Sequence, residues 1–287
     1  MSWNHWVLGN EASLRLGAFV AVLVLMAAWE RLSPRRAWTV SRRLRWASNL
    51  GLVVLNSLAL RLLFPVASVG IASWAQQRDW GLFHLRPLPP GVMLVLSVIA
   101  LDFVIWLQHV MFHAIPALWR LHRVHHADLD YDVTTGIRFH PFEIILSQLV
   151  KWAAIALLGP PLVAVVLFEV LLNASAMFNH GNVGLPAGLD RVLRWLLVTP
   201  DMHRVHHSVE EDEANSNFGF SLSWWDRLFG TYREQPRAGH RGMTIGICGY
   251  RNPKRVARLP GMLALPFAGP VRGYAINHRQ RRCPDED

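Results

Sequence analysis

Residues 16–29, 46–75, 88–113 and 144–178 form four apolar runs, and they confine the fold of this chain more tightly than any other feature. A bilayer interior offers no water to backbone N–H and C=O groups, so runs of this length and composition satisfy their own hydrogen bonds as helices. The first run has no charge and is short for a crossing unless Arg15 and Glu30 sit at the two interfaces. It lacks a charged start and a small-residue cleavage site, and so reads as an anchor rather than a signal peptide. The second run is interrupted by Arg61 and Pro65, and the third carries one acid, Asp102. The fourth is too long for one crossing. It is broken by Gly159-Pro160-Pro161, which fits a helical hairpin entering the membrane from one side.

Hydrophobic residues make up 52% of the chain and charged ones 17%, whereas soluble domains carry about 25% charge. Thirteen Trp and thirteen Phe exclude a disordered chain. The net charge of +9 is nearly all arginine, with Lys151 and Lys254 the only lysines, and the arginines flank the apolar runs. The implied partner is a membrane surface and not nucleic acid. Arg31, Arg35, Arg36, Arg42, Arg43 and Arg45 crowd residues 31–45, which marks that loop as cytoplasmic. Counting crossings onward places residues 120–139, and the chain after Asn179, on the same face. Cys248 and Cys283 are too few for an iron–sulfur cluster, a cysteine zinc site or a disulfide framework.

That face gathers most of the 14 histidines. His109 and His113 are four apart, on one side of a helix. His122, His125 and His126 follow in the sequence His-Arg-Val-His-His, and the same five letters recur with His203, His206 and His207. His180 stands between, in Asn179-His180-Gly181-Asn182. Neutral imidazole binds iron, zinc and copper well. One ion takes four to six ligands, so these nine histidines imply two ions. Two irons that activate O2 are the strongest reading. A single HxxxH pair is usually only a helix face; two identical HxxHH clusters beside it point to metal. Two other classes compete. A membrane haem protein would need only one facing histidine pair per haem. A zinc-dependent membrane hydrolase would need a general base beside its ligands, and no HExxH-type base is present.

These residues resemble the fatty acid hydroxylase / sterol desaturase superfamily. The resemblance runs through residues 102–126, Phe139-His140-Pro141-Phe142-Glu143, residues 179–182, Thr199-Pro200-Asp201-Met202 with the last histidine cluster, and Trp225-Asp226-Arg227-Leu228-Phe229-Gly230-Thr231-Tyr232. It implies an all-α, multi-pass membrane enzyme with about four membrane-embedded helices, including a hairpin, under a cytoplasmic helical cap that holds a di-metal site. The implied ligands are His109, His113, His122, His125, His126, His180, His203, His206 and His207. The implied cofactors are two iron ions with O2 as co-substrate, and the reaction is hydroxylation or desaturation of a lipid C–H bond. Some members carry a further histidine where this chain has Ala176, so that subsite is completed differently here.

His140, Asp102, Glu143 and Asp201 are candidates for a ligand or for a group that orients one; Asp102, two turns before His109, could fix the tautomer of that ring. Arg123 and Arg204 read as partners of carboxylates or phosphate, and Glu210, Glu211, Asp212 and Glu213 as a solvated loop. No nucleotide fingerprint, cysteine cluster or fused haem domain is evident, so electrons are expected from a separate ferredoxin- or cytochrome-type donor. The expected organisation is membrane anchor helices over 1–94, a catalytic domain over 95–232 and a loosely structured basic cytoplasmic tail over 233–287, in a bacterial inner membrane.

Overall fold

The computed structural model describes residues 3–64, 66–86 and 88–269. Among them every regular element is a helix, and strand pairing is limited to isolated bridges. Short α1 (Trp3–Gly9) precedes α2 (Glu11–Leu32), α3 (Arg42–Leu63), α4 (Ser68–Gln77) and α5 (Pro90–Ala114). After these come α6 (Pro116–His126), the hairpin α7 (Pro141–Leu158) and α8 (Leu162–Asn179), then α9 (Ala187–Leu193) and α10 (Pro200–His206).

Among the described residues five segments are long and apolar enough to cross a membrane: α2, Arg42–His84 (which holds α3 and α4), α5, α7 and α8. The chain is a multi-pass membrane protein. Their outer faces carry large apolar side chains with no protein cover, such as Leu25, Leu62, Val95 and Leu157. Hydrocarbon is the environment in which that arrangement costs nothing. The fourth apolar run divides as the Gly-Pro-Pro break requires. Gly159 ends α7 at a positive φ of 64°, and Pro161 caps α8. A Cβ at Gly159 would collide with the Trp80 carbonyl, so only glycine fits this turn.

One end of every long helix reaches the same place. Glu30, near the end of α2, accepts from the backbone N–H of Val133 (2.6 Å) and of Asn182 (2.9 Å). Arg45, in the first turn of α3, is fully buried and pairs with Asp128 (2.7 Å) and Asp132 (2.6 Å). Arg138 joins them 3.8 Å from Asp128 and donates to the Val124 carbonyl. Burial alone would raise the Asp128 carboxyl, but Arg45 and Arg138 outweigh it and hold the group well below its ordinary range. Around these ends sits a cap whose core joins Trp119, Val124 and Ala127 to Ala214, Ile247, Val256 and Met262.

Two expectations change here. The arginines of 31–45 are mostly internal ties rather than charges offered to lipid: Arg35 pairs with Asp201 (2.8 Å), Arg42 with Glu30 (3.0 Å), and Arg36 donates to the Met243 carbonyl. The segment from 233 to 269 is not a loose tail. It folds over α6 in one-turn helices, Pro253–Val256 and Leu259–Ala264 among them. Arg123 donates to the Leu265 and Ala268 carbonyls and to the Tyr250 hydroxyl, which ties this segment down. Single turns leave little periodicity, which is why the sequence pattern is weak there. The rest of the expected tail, from 270, lies outside the described residues.

Candidate metal centre

Pro116 follows directly on the C-cap of α5 and starts α6, so the chain folds back on itself between two histidine clusters. The fold-back brings His109 Nε2 to 3.0 Å from His122 Nε2, and His113 Nε2 to 3.1 Å from His126 Nε2. α10 starts in the same manner: Thr199 Oγ1 accepts from the Met202 N–H, Pro200 opens the helix, and the last cluster follows. His206 Nε2 then lies 3.1 Å from His109 Nε2.

All nine imidazoles converge in two adjoining groups. His109, His113, His122, His126 and His206 form the first, and His125, His180, His203 and His207 the second; within each group the ligand atoms lie within 4.8 Å of one another. Each HxxHH cluster serves both. The first sends its i, i+4 pair, His122 and His126, to the first group and His125 to the second. The last cluster does the reverse, with His203 and His207 in the second group and His206 in the first. The groups touch where His126 stacks on His207, with centroids 4.6 Å apart. His180 completes the second group, its Nε2 3.1 Å from those of both His125 and His207. At Ala176 the backbone carbonyl accepts from His180 Nδ1 at 2.7 Å, and the second group has four imidazoles where the first has five.

The outer nitrogens fix the tautomers. His109 Nδ1 faces the Phe218 carbonyl (2.7 Å), His206 Nδ1 the Ser216 carbonyl (2.7 Å), and His122 Nδ1 a Glu143 carboxylate oxygen (2.6 Å). The Nδ1 atoms of His109 and His206 therefore carry the proton and their Nε2 atoms present bare lone pairs, and an ionised Glu143 holds His122 in the same tautomer. Three lone pairs at 3.0–3.1 Å repel unless a cation lies among them. His203 Nε2 is likewise buried without a hydrogen-bond partner. Burial also keeps the rings neutral: it pushes His125, His126, His203, His206 and His207 well below the usual histidine range, and His180 down to about 3. Neutral imidazole is the ligand form.

The donor set fits a metal. Two nitrogens each about 2.1 Å from one cation stand about 3.0 Å apart at a right angle and about 3.4 Å apart at the tetrahedral angle. The observed spacings match the first, and five donors exceed a closed four-coordinate site. The rings crowd each other edge to face at centroid distances of 4.6–4.8 Å, which leaves no gap for a haem macrocycle between them.

The weaker candidates separate cleanly. Glu143 orients His122. Asp102 accepts from Trp225 Nε1 (2.9 Å) and the Leu222 N–H (3.3 Å), and it is the Phe218 carbonyl, not Asp102, that fixes His109. Asp201 pairs with Arg204 and Arg35, with His240 3.6 Å away. His140 lies outside both groups and caps α7, its Nδ1 accepting from the Phe142 N–H and its Nε2 facing the Leu263 carbonyl. Within the acidic loop, Glu213 is buried and Asp212 pairs with Arg233.

Sequence reading missed the loop 215–218. Its carbonyls and the Asn215 amide face His109, His113, His203 and His206. Asn217 holds it in a left-handed turn (φ 51°), donating from Nδ2 to the Met202 and Arg233 carbonyls. Asp226 accepts from the Phe218 and Gly219 N–H groups at 2.8 Å. The Asn217 and Asp226 side chains were the only signals available.

A cavity of about 300 Å³ adjoins the first group, lined by α3, α5, α7 and α8 and reaching His109 and His122.

The helical membrane bundle and its two imidazole groups define a membrane protein with a histidine-rich site suited to hold metal. Residues 94–231, which contain all nine histidines, match the fatty acid hydroxylase family, and this match supports the fatty acid hydroxylase/sterol desaturase superfamily. The chain is 27% identical over 272 residues to an ornithine lipid hydroxylase of Rhizobium tropici, covering 92% of this chain and 78% of that protein. It is 28% identical over 207 residues to the alkylglycerol monooxygenase of Xenopus tropicalis, covering 69% of this chain but 44% of the relative. A methylsterol monooxygenase of Arabidopsis thaliana is 27% identical over 165 residues, 56% of this chain and 61% of that one. No solved structure gives a significant match.

Proposed function

We propose that the chain is an O2-dependent lipid monooxygenase that binds two iron ions, one in each imidazole group, and draws electrons from a separate ferredoxin- or cytochrome-type donor. The observation that carries this reading is the contact between the first imidazole group and a cavity walled by membrane-spanning helices. A lipid tail can enter such a cavity without leaving hydrocarbon. The relatives bear the names of hydroxylases and monooxygenases, which favours oxygen insertion over desaturation. The arginine-rich loop favours the cytoplasmic face for the site, and a bacterial inner membrane is the setting proposed.

When bound, the irons would supply the oxidising power that an unactivated C–H bond demands. The protein's part is positional. The Phe218 and Ser216 carbonyls hold two rings in the ligating tautomer before any metal arrives, and Glu143 braces the His122 ring. Phe139 stacks on His125 at 4.6 Å, and Phe220 lies 5.0 Å from His109, so apolar rings screen the rim from water. Overall, one atom of O2 enters the C–H bond and the other leaves as water, with two electrons drawn from the donor and two protons from solvent.

Purified protein should contain two irons per chain, and membrane lipid incubated with it, a reducing system and ¹⁸O2 should gain one ¹⁸O atom. Zinc in place of iron with product formed anaerobically would establish a hydrolase instead. A Soret band with haem stoichiometry and no other iron would establish a haem protein.

A further inference from the structure

The segment after His180 carries large apolar side chains that none of the described residues covers. On α9, Leu189 and Val192 stand one turn apart, with Trp195 and Leu196 just past its end. Trp224, Leu228 and Phe229 are exposed on and directly after the short helix Trp224–Leu228. The two pieces are joined. Trp224 Nε1 donates to the Trp195 carbonyl at 2.9 Å, and the Ser223 N–H to the Leu196 carbonyl at 3.2 Å. Each of the seven side chains is 40–70% exposed, and an apolar patch of that size marks a contact surface. Elsewhere the cap exposes charge, as at Glu210, Asp212, Arg237, Lys254 and Arg258.

The depth of the patch is set by α5. Leu96, Phe103 and Leu107 fall on one stripe of that membrane-spanning helix, at i, i+7 and i+11. Leu96 and Leu107 are bare, 39% and 44% exposed. Phe103, between them, packs instead on Trp225 at 4.9 Å and Phe229 at 6.0 Å, and Phe229 also stacks on Trp106 at 4.7 Å. The helix Trp224–Leu228 therefore lies against the lipid-facing stripe of α5, between two bare leucines about 16 Å apart along the axis. Its polar atoms turn inward, as a hydrocarbon setting requires. Trp225 Nε1 donates to Asp102, Asp226 accepts from Trp106 Nε1 at 3.1 Å, and the Arg227 guanidinium donates to the Arg194 carbonyl while stacking on Trp195.

We infer that α9 and the helix Trp224–Leu228 form a wedge seated in one leaflet of the bilayer, so that part of the histidine-bearing cap is embedded rather than held in water. The occupant of the patch is phospholipid, because the patch continues the lipid-facing stripe of α5. Acyl chains cover Val192, Leu228 and Phe229. Trp195 and Trp224 lie at the head-group level, where indole rings collect, and the exposed Arg191 reaches lipid phosphate. The wedge does not cross: α9 has 7 residues, against the roughly 20 that a crossing needs. It enters and leaves on the side of the imidazole groups, as an interfacial helix does.

Site-specific photocrosslinking tests this. The residue p-benzoylphenylalanine replaces Val192 or Leu228 in the full chain, which is held in nanodiscs of phosphatidylglycerol and phosphatidylcholine and irradiated. Two reference positions bracket the scale: Leu25, bare on the membrane-spanning α2, and Glu210, exposed on the charged outer loop of the cap. Phospholipid adducts are counted by intact-mass spectrometry. Val192 and Leu228 should each give a yield within about threefold of that at Leu25 and about tenfold above that at Glu210. A yield closer to that of Glu210 at either position overturns the inference. So does an adduct to a second protein chain in place of lipid, which would mean that another copy covers the patch. If either variant fails to fold, the crosslinker at Leu189 takes its place under the same criteria.

Discussion

Glu143 Oε1 lies 2.6 Å from His122 Nδ1, across the junction between the first turn of α7 and the middle of α6. A membrane-spanning helix thus orients an imidazole of the cap. Glu143→Gln keeps the shape and removes the charge. Iron affinity should fall about 10–100-fold, read by competition against a chromophoric chelator. Unchanged retention would show that the carboxylate only packs against the ring.

The partition of histidines makes a stoichiometric prediction. His206→Ala should empty the first group preferentially and His125→Ala the second, so each variant should hold about one iron per chain and lose activity. Elemental analysis after gel filtration gives the count, and far-UV circular dichroism shows whether the helices persist. His140→Ala should keep both irons and lose about 0.5–2 kcal/mol of stability, the value of a helix N-cap. Loss of iron from that variant would contradict the assignment of His140 to capping.

The Arg45–Asp128–Asp132 tie has no exposed atoms to be rescued by water. Arg45→Met leaves two buried carboxylates facing each other and should cost about 3–5 kcal/mol. A fall in the thermal midpoint of the detergent-solubilised protein measures it. Asp128 also sets an acid limit. Its folded-state carboxyl is held below the ordinary value, so its stabilisation is complete above the unfolded-state value near 3.9 and is lost as pH falls through the folded-state value. Stability measured down through pH 4 should drop in the parent and respond less to pH in Asp128→Asn.

Asn217→Ala should cost about 1–3 kcal/mol through the left-handed backbone alone, and it also removes both donations from Nδ2. Asn217→Gly restores the backbone freedom and not the hydrogen bonds. If the turn matters through its shape, iron content recovers in the glycine variant; if through the amide, both variants lose iron.

The sequence exposed the helices and the nine histidines because both depend on local regularity. The Gly159-Pro160-Pro161 break and the HxxHH spacing each act within one or two turns. It did not show which histidine joins which group. The i, i+3 and i+4 positions share a helix face, and only the packing of α6 against α5 and α10 separates them. The carbonyls of 216–218 were invisible because every residue has one. Arg45 looked like a surface charge because its carboxylate partners lie 83 and 87 positions away. The family resemblance supplied the expectation that the last cluster meets the first, and the fold supplies the reason.

The imidazole groups draw their rings from the ends of α5 and α8 and from α6 and α10, and this sets an order of events during biogenesis. A nascent chain that has emerged only as far as His126 offers five of the nine rings and none of the carbonyls that orient His109 and His206. Neither ion can be fully enclosed until the hairpin has entered the bilayer and α10 has left the ribosome. On the two-iron proposal, metal is thus taken up only by the completed fold, and a stalled translation product presents no complete site for it.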